Sequence, residues 1–186
     1  EIDEAAELVR TKRLKGVVLL GGRFDYSTED AQSVGVPFVC CSYTNHFGDL
    51  PRDAYSSVSI NDKAEAYKAV RALIDAGHTR IACLLSETDD QSISQLRFDG
   101  YCQALEDAGI PLDLGLVLKT NGFLMSSAYE QVKEAIEAGL DFTAIFSIAD
   151  TLAIAAMKAI FDTGATVPDD YSVIAIDGIE KSQYTV

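Results

Sequence analysis

The sequence predicts a doubly wound α/β fold, in which parallel strands are covered by helices on both faces of the sheet. Short apolar segments alternate along the chain with longer segments of helical periodicity. Most of the short segments are continuous apolar runs, such as GVVLL and RIACLL, which is typical of strands buried on both faces. Strands that alternate with helices are joined by right-handed crossovers and run parallel, so the alternation itself indicates this fold class.

The predicted elements follow one another in a regular order. The strands are residues 16–20, 37–41, 57–60, 80–85, 143–147 and 172–176. The helices are about residues 2–14, 27–34, 62–76, 92–108, 127–138 and 151–164. Three helices are predicted to begin with capping boxes, formed by Asp62 with Glu65, Ser92 with Gln95 and Ser127 with Glu130. Glycines follow the last apolar turn of four helices, where a left-handed cap favours glycine: Gly77, Gly109, Gly139 and Gly164.

The composition is that of an ordinary globular chain with one or two compact domains. Of its 186 residues, 48% are hydrophobic and 24% are charged. No apolar run approaches the roughly 20 residues that a membrane helix needs, so no membrane association is expected. The polar stretch SETDDQ predicts either a loop within one domain or a boundary that divides the chain into residues 1–88 and 89–186.

The net charge of −14 argues against direct nucleic-acid binding by these residues. A surface that neutralises phosphates needs clustered Lys and Arg, and 15 such residues are outnumbered by 29 Asp and Glu. The balance is compatible with neutral or cationic small ligands. The chain opens on a helix and closes directly after a strand, so we expect it to be a fragment that is trimmed at both ends.

The sequence lacks the common enzyme motifs GxGxxG, GxxxxGK[ST], HExxH and GxSxG. We therefore expect no catalytic residues, no metal site and no cofactor. The two histidines, His46 and His78, lie in a loop and after a helix end, where local packing is the simpler interpretation. The four cysteines include no CxxC pair and are expected to be reduced core thiols, which favours the cytoplasm: Cys40, Cys41, Cys83 and Cys102.

Two of the buried strands end in a carboxylate. The run TAIFSIAD stops at Asp150, and YSVIAID stops at Asp177. Ligands of open parallel sheets bind outside the carboxyl ends of the strands, so both side chains should face one crevice. Asp150 directly precedes an apolar helix and could instead cap it. Asp177 precedes GIEKSQ, which has no strong helical pattern, so a ligand role is the leading interpretation there.

Arg97 lies within the apolar stripe of its predicted helix, four residues after Ile93 and four before Tyr101. A guanidinium near the first turn of this helix would be at the crevice end, where its planar fork can reach hydroxyl or carboxylate oxygens of a ligand. The alternative is an internal salt bridge to a core aspartate, and spacing alone favours neither.

Four segments together resemble the effector-binding core of the lactose-repressor and galactose-repressor family of bacterial transcription regulators. They are ALIDAGHTRIACL, QLRFDGYCQALEDAGI, FTAIFSIADTLAIAAMKAIFDTG and VPDDYSVIAIDG. They occur in family order and at family spacing over essentially the whole chain. The resemblance implies a periplasmic-binding-protein-like clamp of two subdomains, with a cleft at the strand carboxyl ends that closes on a small molecule, often a sugar or a nucleobase.

The resemblance also implies roles for individual residues. The arginine of the R-x-x-G-[YW] helix and the aspartate at the end of the G-[FY]-D-[DG] strand commonly bind the effector in this family, and these positions are Arg97 and Asp177. An aromatic ring often precedes the helix that starts near Ser127, and Phe123 matches it. That ring would stack on a sugar or a base, or alternatively pack as a hydrophobic staple of the helix.

Two positions depart from the family pattern. The residue after VPFVCC is often an aspartate that faces the cleft, and here it is Ser42. The usual Asn-Asp pair before the AIAAMKAI helix is Ala149-Asp150, so an amide is missing. Ser42 and Asp150 stay in the predicted effector site with Arg97, Asp177 and Phe123, but the site lacks part of the polar set that binds a standard hexose.

These observations predict an effector-sensing domain of a transcription regulator. We expect operator binding through a DNA-binding headpiece absent from this chain, and we expect a homodimer because a two-fold protein matches a two-fold operator. A solute-binding receptor of a sugar transport system would share the fold and the cleft. We prefer the regulator because VPDDYSVIAIDG and DAGHTRIA resemble regulators more closely than receptors.

Overall fold

The computed structural model describes residues 2–87 and 92–185, which form two compact units. The first unit comprises the described residues up to Asn61, together with Ser92 and Ile93. Its strands make a parallel sheet in the order β1-β2-β3. Its elements are α1 (Ile2–Lys12), β1 (Val17–Leu20), α2 (Thr28–Val34), β2 (Phe38–Cys41) and β3 (Ser56–Val58).

The second unit contains the larger sheet, whose four strands are all parallel in the order β5-β4-β6-β7. The predicted α/β class with parallel sheets is thereby confirmed. Short 3-10 helices follow at Leu114–Leu116 and Glu180–Tyr184. The main elements are α3 (Asp62–Asp75), β4 (Ile81–Glu87), α4 (Ile93–Asp107), β5 (Val117–Asn121), α5 (Met125–Glu137), β6 (Ala144–Ser147), α6 (Asp150–Asp162) and β7 (Ser172–Ala175).

The core of the second unit is centred on β6, all of whose residues are buried. Tyr101 of α4 stacks on Phe146 of β6 with 6.2 Å between ring centroids. Its Oη donates to the Ile81 carbonyl of β4 at 2.9 Å. Gly100 lets α4 approach α3 closely, because a Cβ at this position would collide with the carbonyl of Lys63. This close approach brings Arg97, three residues earlier on α4, next to the beginning of α3.

The helix ends follow the sequence prediction. Each glycine predicted to end a helix has a positive φ, at 99° for Gly77, 68° for Gly109, 71° for Gly139 and 87° for Gly164. These values lie in the left-handed region that glycine enters without a steric penalty. The start of α2 carries a capping box between Ser27 and Asp30 that sequence reasoning missed.

The structure corrects the predicted elements β5 and α5 and the predicted division of the chain, which makes three corrections to the fold. β5 was not predicted, although it pairs with β4 along its whole length. Because α5 begins at Met125, Ser127 lies inside the first turn, and the capping box predicted for it is wrong: its Oγ accepts from the backbone N–H of Asn121 at 3.0 Å.

The third correction concerns the division of the chain. The two units separate after Asn61, and α3 and β4 belong to the second unit because β4 pairs with both β5 and β6. A boundary near residue 88 would cut β4 and its sheet from the rest of this unit. Residues 88–91 of the SETDDQ stretch lie outside the described residues.

Candidate functional site

Arg97 is the centre of a polar cluster at the carboxyl end of the second sheet. It lies on α4 with only 5% of its surface exposed. Its Nε donates to Asp62 Oδ1 at 2.9 Å. Its Nη1 donates to the Ile148 carbonyl, which follows β6, and to Asp177 Oδ1 at 3.3 Å. The two interpretations of Arg97 that the sequence left open therefore meet in one residue, since it forms an internal ion pair and also reaches the strand-end carboxylate.

Asp62 is a member of this cluster that sequence reasoning did not select. It is the first residue of α3 and only 4% exposed. The prediction assigned it to a capping box with Glu65, whereas its Oδ1 accepts from Arg97 and Glu65 Oε1 accepts from Lys68 Nζ. Burial raises the pKa of the Asp62 carboxyl, and the hydrogen bond from Arg97 opposes that rise.

Asp177 lies two residues after the end of β7 and stays open to solvent. Its side chain is 35% exposed. Beyond the contact with Arg97, its Oδ2 accepts from the backbone N–H of Asp150 at 3.4 Å. Both distances are at the long end of the hydrogen-bond range, so neither contact fixes the carboxylate firmly. Asp177 thus keeps acceptor capacity that faces solvent.

Asp150 has a different environment. It is the first residue of α6 and 6% exposed. Its Oδ2 accepts from the backbone N–H of Ile179 at 2.7 Å, and its own N–H donates to the Ile176 carbonyl at 3.0 Å. These bonds tie the start of α6 to the loop that contains Asp177. The structure therefore brings Arg97, Asp177 and Asp150 together, and the Asp150 carboxylate is used to hold the loop.

Phe123 lies in the loop between β5 and α5, where it is 47% exposed. The next two residues, Leu124 and Met125, are 54% and 44% exposed. Thr120 Oγ1 donates to the Gly122 carbonyl at 2.7 Å, which fixes the turn just before the ring. The exposure of Phe123 does not fit the alternative in which it packs as a hydrophobic staple.

Ser42 belongs to the first unit, where it follows β2. It is exposed and has a φ of 72°, which is uncommon for a residue other than glycine. Its backbone N–H donates to the Val58 carbonyl at 2.8 Å. The hydroxyl of Ser42 is therefore available at the carboxyl end of the first sheet.

Ser94 is a further buried polar residue near the cluster. It lies three residues before Arg97 on α4 and is 1% exposed. Its hydroxyl has no hydrogen-bond partner among the residues that the structure describes. The sequence did not single out Ser94 as a site residue, because serine occurs inside helices in many environments.

The arrangement suits binding rather than covalent chemistry. A buried guanidinium with fixed donors lies beside an exposed carboxylate, and this pair can recognise hydroxyl groups through charge-assisted hydrogen bonds. Burial raises the pKa of the Cys83 and Cys102 thiols, which favours the protonated, unreactive form. Within the described ranges, no group of three or more His, Cys, Asp or Glu is placed to hold a metal ion. No helix in that part of the chain has the length and apolar character for crossing a membrane.

Comparison with known proteins gives one consistent result. Residues 70–186 match the model of the periplasmic binding protein-like domain. The HTH-type transcriptional regulator MalR of Clostridium butyricum is 37% identical over 188 residues, which cover 99% of this chain and 54% of that protein. The HTH-type transcriptional repressor CytR of Escherichia coli is 29% identical, with 96% of this chain and 50% of that protein covered. The chain thus spans about half the length of these relatives.

Solved structures agree with this result. A sugar-binding transcriptional regulator of the LacI family from Escherichia coli, complexed with phosphate, superposes with a TM-score of 0.82 at 28% identity, covering 98% of this chain and 64% of that one. The Escherichia coli repressor ascG gives a TM-score of 0.81 at 28% identity, with 98% and 65% covered. The chain belongs to the periplasmic binding protein-like family, in the form found in the effector-binding cores of LacI-family transcriptional regulators.

Proposed function

We propose that this chain is the effector-sensing core of a DNA-binding transcriptional regulator. The observation that carries the proposal is the pairing of a buried, fixed guanidinium with a half-open carboxylate at the strand ends, through the 3.3 Å contact of Arg97 with Asp177. Ligands of parallel α/β sheets bind at this edge. The relatives quoted above are named as transcriptional regulators, which favours sensing over a transport receptor and favours the cytoplasm.

The proposed ligand is a polar small molecule that carries hydroxyl groups, such as a sugar or a related compound. Asp177 would accept hydrogen bonds from the ligand, and Arg97 would donate to its oxygens. The exposed ring of Phe123 offers a flat surface on which a sugar ring or a base can stack. Asp150 would act by fixing the loop that carries Asp177.

A calorimetric titration tests this site. The wild-type chain is screened against neutral sugars, nucleosides and small acids, and the best ligand is titrated into Asp177→Asn. A lost charge-assisted hydrogen bond weakens binding about tenfold or more. The matched control is Asp141→Asn. Asp141 pairs with Arg80 just before β6, at the amino ends of the strands, whereas Asp177 lies at their carboxyl ends. If Asp177→Asn binds the ligand as tightly as the wild type and Asp141→Asn do, the assignment of Asp177 is refuted.

We propose that DNA binding belongs to the full-length protein and not to this chain. The net charge of −14 supports this, because phosphate contacts require clustered basic residues. A gel-shift assay compares this chain with the full-length protein on its operator, with and without ligand. The chain alone is expected to leave DNA unshifted. A shift produced by the acidic chain would contradict the proposal.

We also propose that the full-length protein is a homodimer. An apolar groove of about 510 Å³ lies between α5, α6 and the last 3-10 helix, and Met125, Phe161 and Tyr184 line it. Tyr184 is 78% exposed, so the groove leaves a large aromatic side chain in solvent. We propose a second copy of the chain as its occupant, because a two-fold protein matches a two-fold operator. Light scattering of the full-length protein tests the assembly, and a monomer at all concentrations would contradict it.

A further inference from the structure

We infer that Asp62 sets the charge of the proposed effector site, so that Arg97 recognises a neutral hydroxyl-bearing ligand and disfavours anionic ones such as sugar phosphates and sugar acids. The inference rests on the proposed function. It assigns a role to a residue that lies behind the ligand-binding groups, and it narrows the class of ligand. Asp62 acts through Arg97, so we describe it as a positioning residue.

Arg97 is already paired before any ligand arrives. Its Nε donates to Asp62 at 2.9 Å, and the side chains of both partners are almost fully buried, at 6% and 4% exposed. Because the two opposite charges lie so close together, their effects on a more distant charge largely cancel. An arginine compensated in this way is a hydrogen-bond donor with a fixed direction and little free positive charge to offer an anion.

Two further acidic residues belong to the cluster around Arg97. Asp177 contacts the same guanidinium at 3.3 Å, and Asp150 contacts Asp177 through its backbone. With its carboxylates ionised, this cluster of Arg97, Asp62, Asp150 and Asp177 has one positive and three negative groups. A phosphate or carboxylate that approached Arg97 would come within a few ångströms of Asp177. Like charges at such a distance in a partly buried site repel strongly.

A neutral ligand avoids this repulsion and still finds partners. An arginine has five N–H donors, and Nε and Nη1 account for the contacts that the structure shows. Among the described residues, Nη2 has no hydrogen-bond acceptor, so its donors remain for a ligand oxygen. The exposed carboxylate of Asp177 accepts hydrogen bonds from hydroxyl groups at the same time. Donor and acceptor side by side match a pair of neighbouring hydroxyls.

The test compares Asp62→Asn with a closely matched control. Asparagine keeps the shape of the side chain and one acceptor oxygen while removing the charge. The control is Asp107→Asn, which makes the same change in net charge. Asp107 of α4 also bridges to α3, since Tyr67 Oη donates to it at 2.9 Å, but the bridge is exposed and far along the helix from Arg97. Both variants therefore remove one negative charge from a bond between α3 and α4, but only Asp62→Asn changes the bond to Arg97.

The first measurement needs no ligand. Nuclear magnetic resonance follows the exchange of the Arg97 Nε proton with water, and the assignment is made by its loss in Arg97→Lys. We expect slow exchange in the wild type and in Asp107→Asn, and exchange at least tenfold faster in Asp62→Asn. Unchanged exchange in Asp62→Asn would show that Asp62 does not hold the guanidinium and would overturn the inference.

The second measurement uses calorimetry with neutral and anionic pairs of one scaffold: glucose with glucose 6-phosphate, and cellobiose with cellobionate. We expect the wild type and Asp107→Asn to prefer the neutral member at least tenfold. In Asp62→Asn this preference should fall about tenfold. Tighter binding of an anionic member by the wild type would overturn the inference even if Asp62→Asn fails to fold.

The two measurements separate this inference from the function on which it rests. If no member of either pair binds the wild type while proton exchange responds as expected, the positioning role stands and the proposed ligand class fails. If a neutral sugar binds and Asp62→Asn keeps the wild-type preference, the sensing function stands and the role of Asp62 in selectivity fails.

Discussion

Arg97 and Asp177 should respond very differently to substitution, although the sequence predicts that both bind the effector. We consider Arg97→Met, which keeps most of the aliphatic stem and removes the charge, and Asp177→Asn, which keeps the shape and removes the charge. Both changes break the 3.3 Å contact between the two side chains. Only the first also breaks the buried pair with Asp62.

The burial of Asp62 and of Asp177 determines how much stability each substitution should cost. Arg97→Met leaves the carboxylate of Asp62, which is 4% exposed, without its counter-charge. Removal of one partner of a buried ion pair costs about 3–5 kcal/mol, which for a chain of this length corresponds to a fall in Tm of roughly 6–20 °C. The side chain of Asp177 is 35% exposed, so we expect Asp177→Asn to cost less than about 1 kcal/mol.

The pH dependence of Arg97→Met provides an internal check. Burial already raises the pKa of Asp62 while Arg97 opposes the rise, so loss of Arg97 should raise this pKa further. A carboxyl whose pKa is higher in the folded state stabilises the fold below its unfolded pKa, and this contribution is lost as pH rises through the folded pKa. The variant should therefore lose stability, relative to wild type, from acid toward neutral pH.

Thermal and urea unfolding of both variants at several pH values measure these effects. The double variant Arg97→Met with Asp62→Leu should recover most of the loss, because apolar side chains of similar volume replace a buried pair at little cost. Equal losses of stability in Arg97→Met and Asp177→Asn would refute the reasoning. So would an effect of Arg97→Met that does not change with pH.

Three other predictions each concern one side chain. Asp150→Ala removes the acceptor of the 2.7 Å bond from the Ile179 N–H and should cost about 1.5–3 kcal/mol, with faster hydrogen exchange at that amide. Hydrogen bonds from Thr166 lower the pKa of Asp170, so its stabilisation is present above the ordinary carboxyl pKa and is lost as pH falls through the lowered value; Asp170→Ala should lower Tm more at pH 7 than at pH 2. Leu152→Ala empties a fully buried position of α6 and should cost about 2–5 kcal/mol in urea unfolding.

The order of the elements could be predicted because it depends on local patterns. Continuous apolar runs identify β4 and β6, the two central strands of the larger sheet, whose side chains are mostly buried on both faces. β5 escaped prediction because it is an edge strand, in which Leu118 and Thr120 are buried while Lys119 and Asn121 are exposed. A strand with one solvated face and a lysine at its middle has too few apolar residues to stand out from a loop.

The division of the chain could not be predicted from composition. The polar stretch near residue 88 has the character of a linker, whereas the change from one unit to the other after Asn61 has no distinctive sequence pattern. What decides the boundary is the pairing of β4 with β5 and β6. Pairing partners in a parallel sheet are set by crossovers across many residues, so a local window contains no information about them.

The residues of the candidate site could be selected from sequence only in part, for the same physical reason. Strand ends and helix spacing are local features, and they identified Asp150, Asp177 and Arg97. The partner that holds Arg97 lies 35 residues earlier in the chain, and its local context predicted a helix cap. The sequence left Asp150 open between a helix cap and a ligand role. It did not predict the bond from the Ile179 N–H to Asp150, because that bond depends on the path of the loop after β7.

The backbone of Asp177 bears on the question of why a carboxylate follows the half-buried strand β7. Its φ of 129° is positive, which an L residue other than glycine rarely adopts and which costs of order 1–3 kcal/mol. The contacts that hold it, at 3.3 Å to Arg97 and 3.4 Å to Asp150, are too long to offset much of that cost. Glycine would satisfy this backbone better, and the next residue, Gly178, shows that the loop uses one. A strained aspartate that contributes little to the fold supports the proposal that Asp177 binds a ligand.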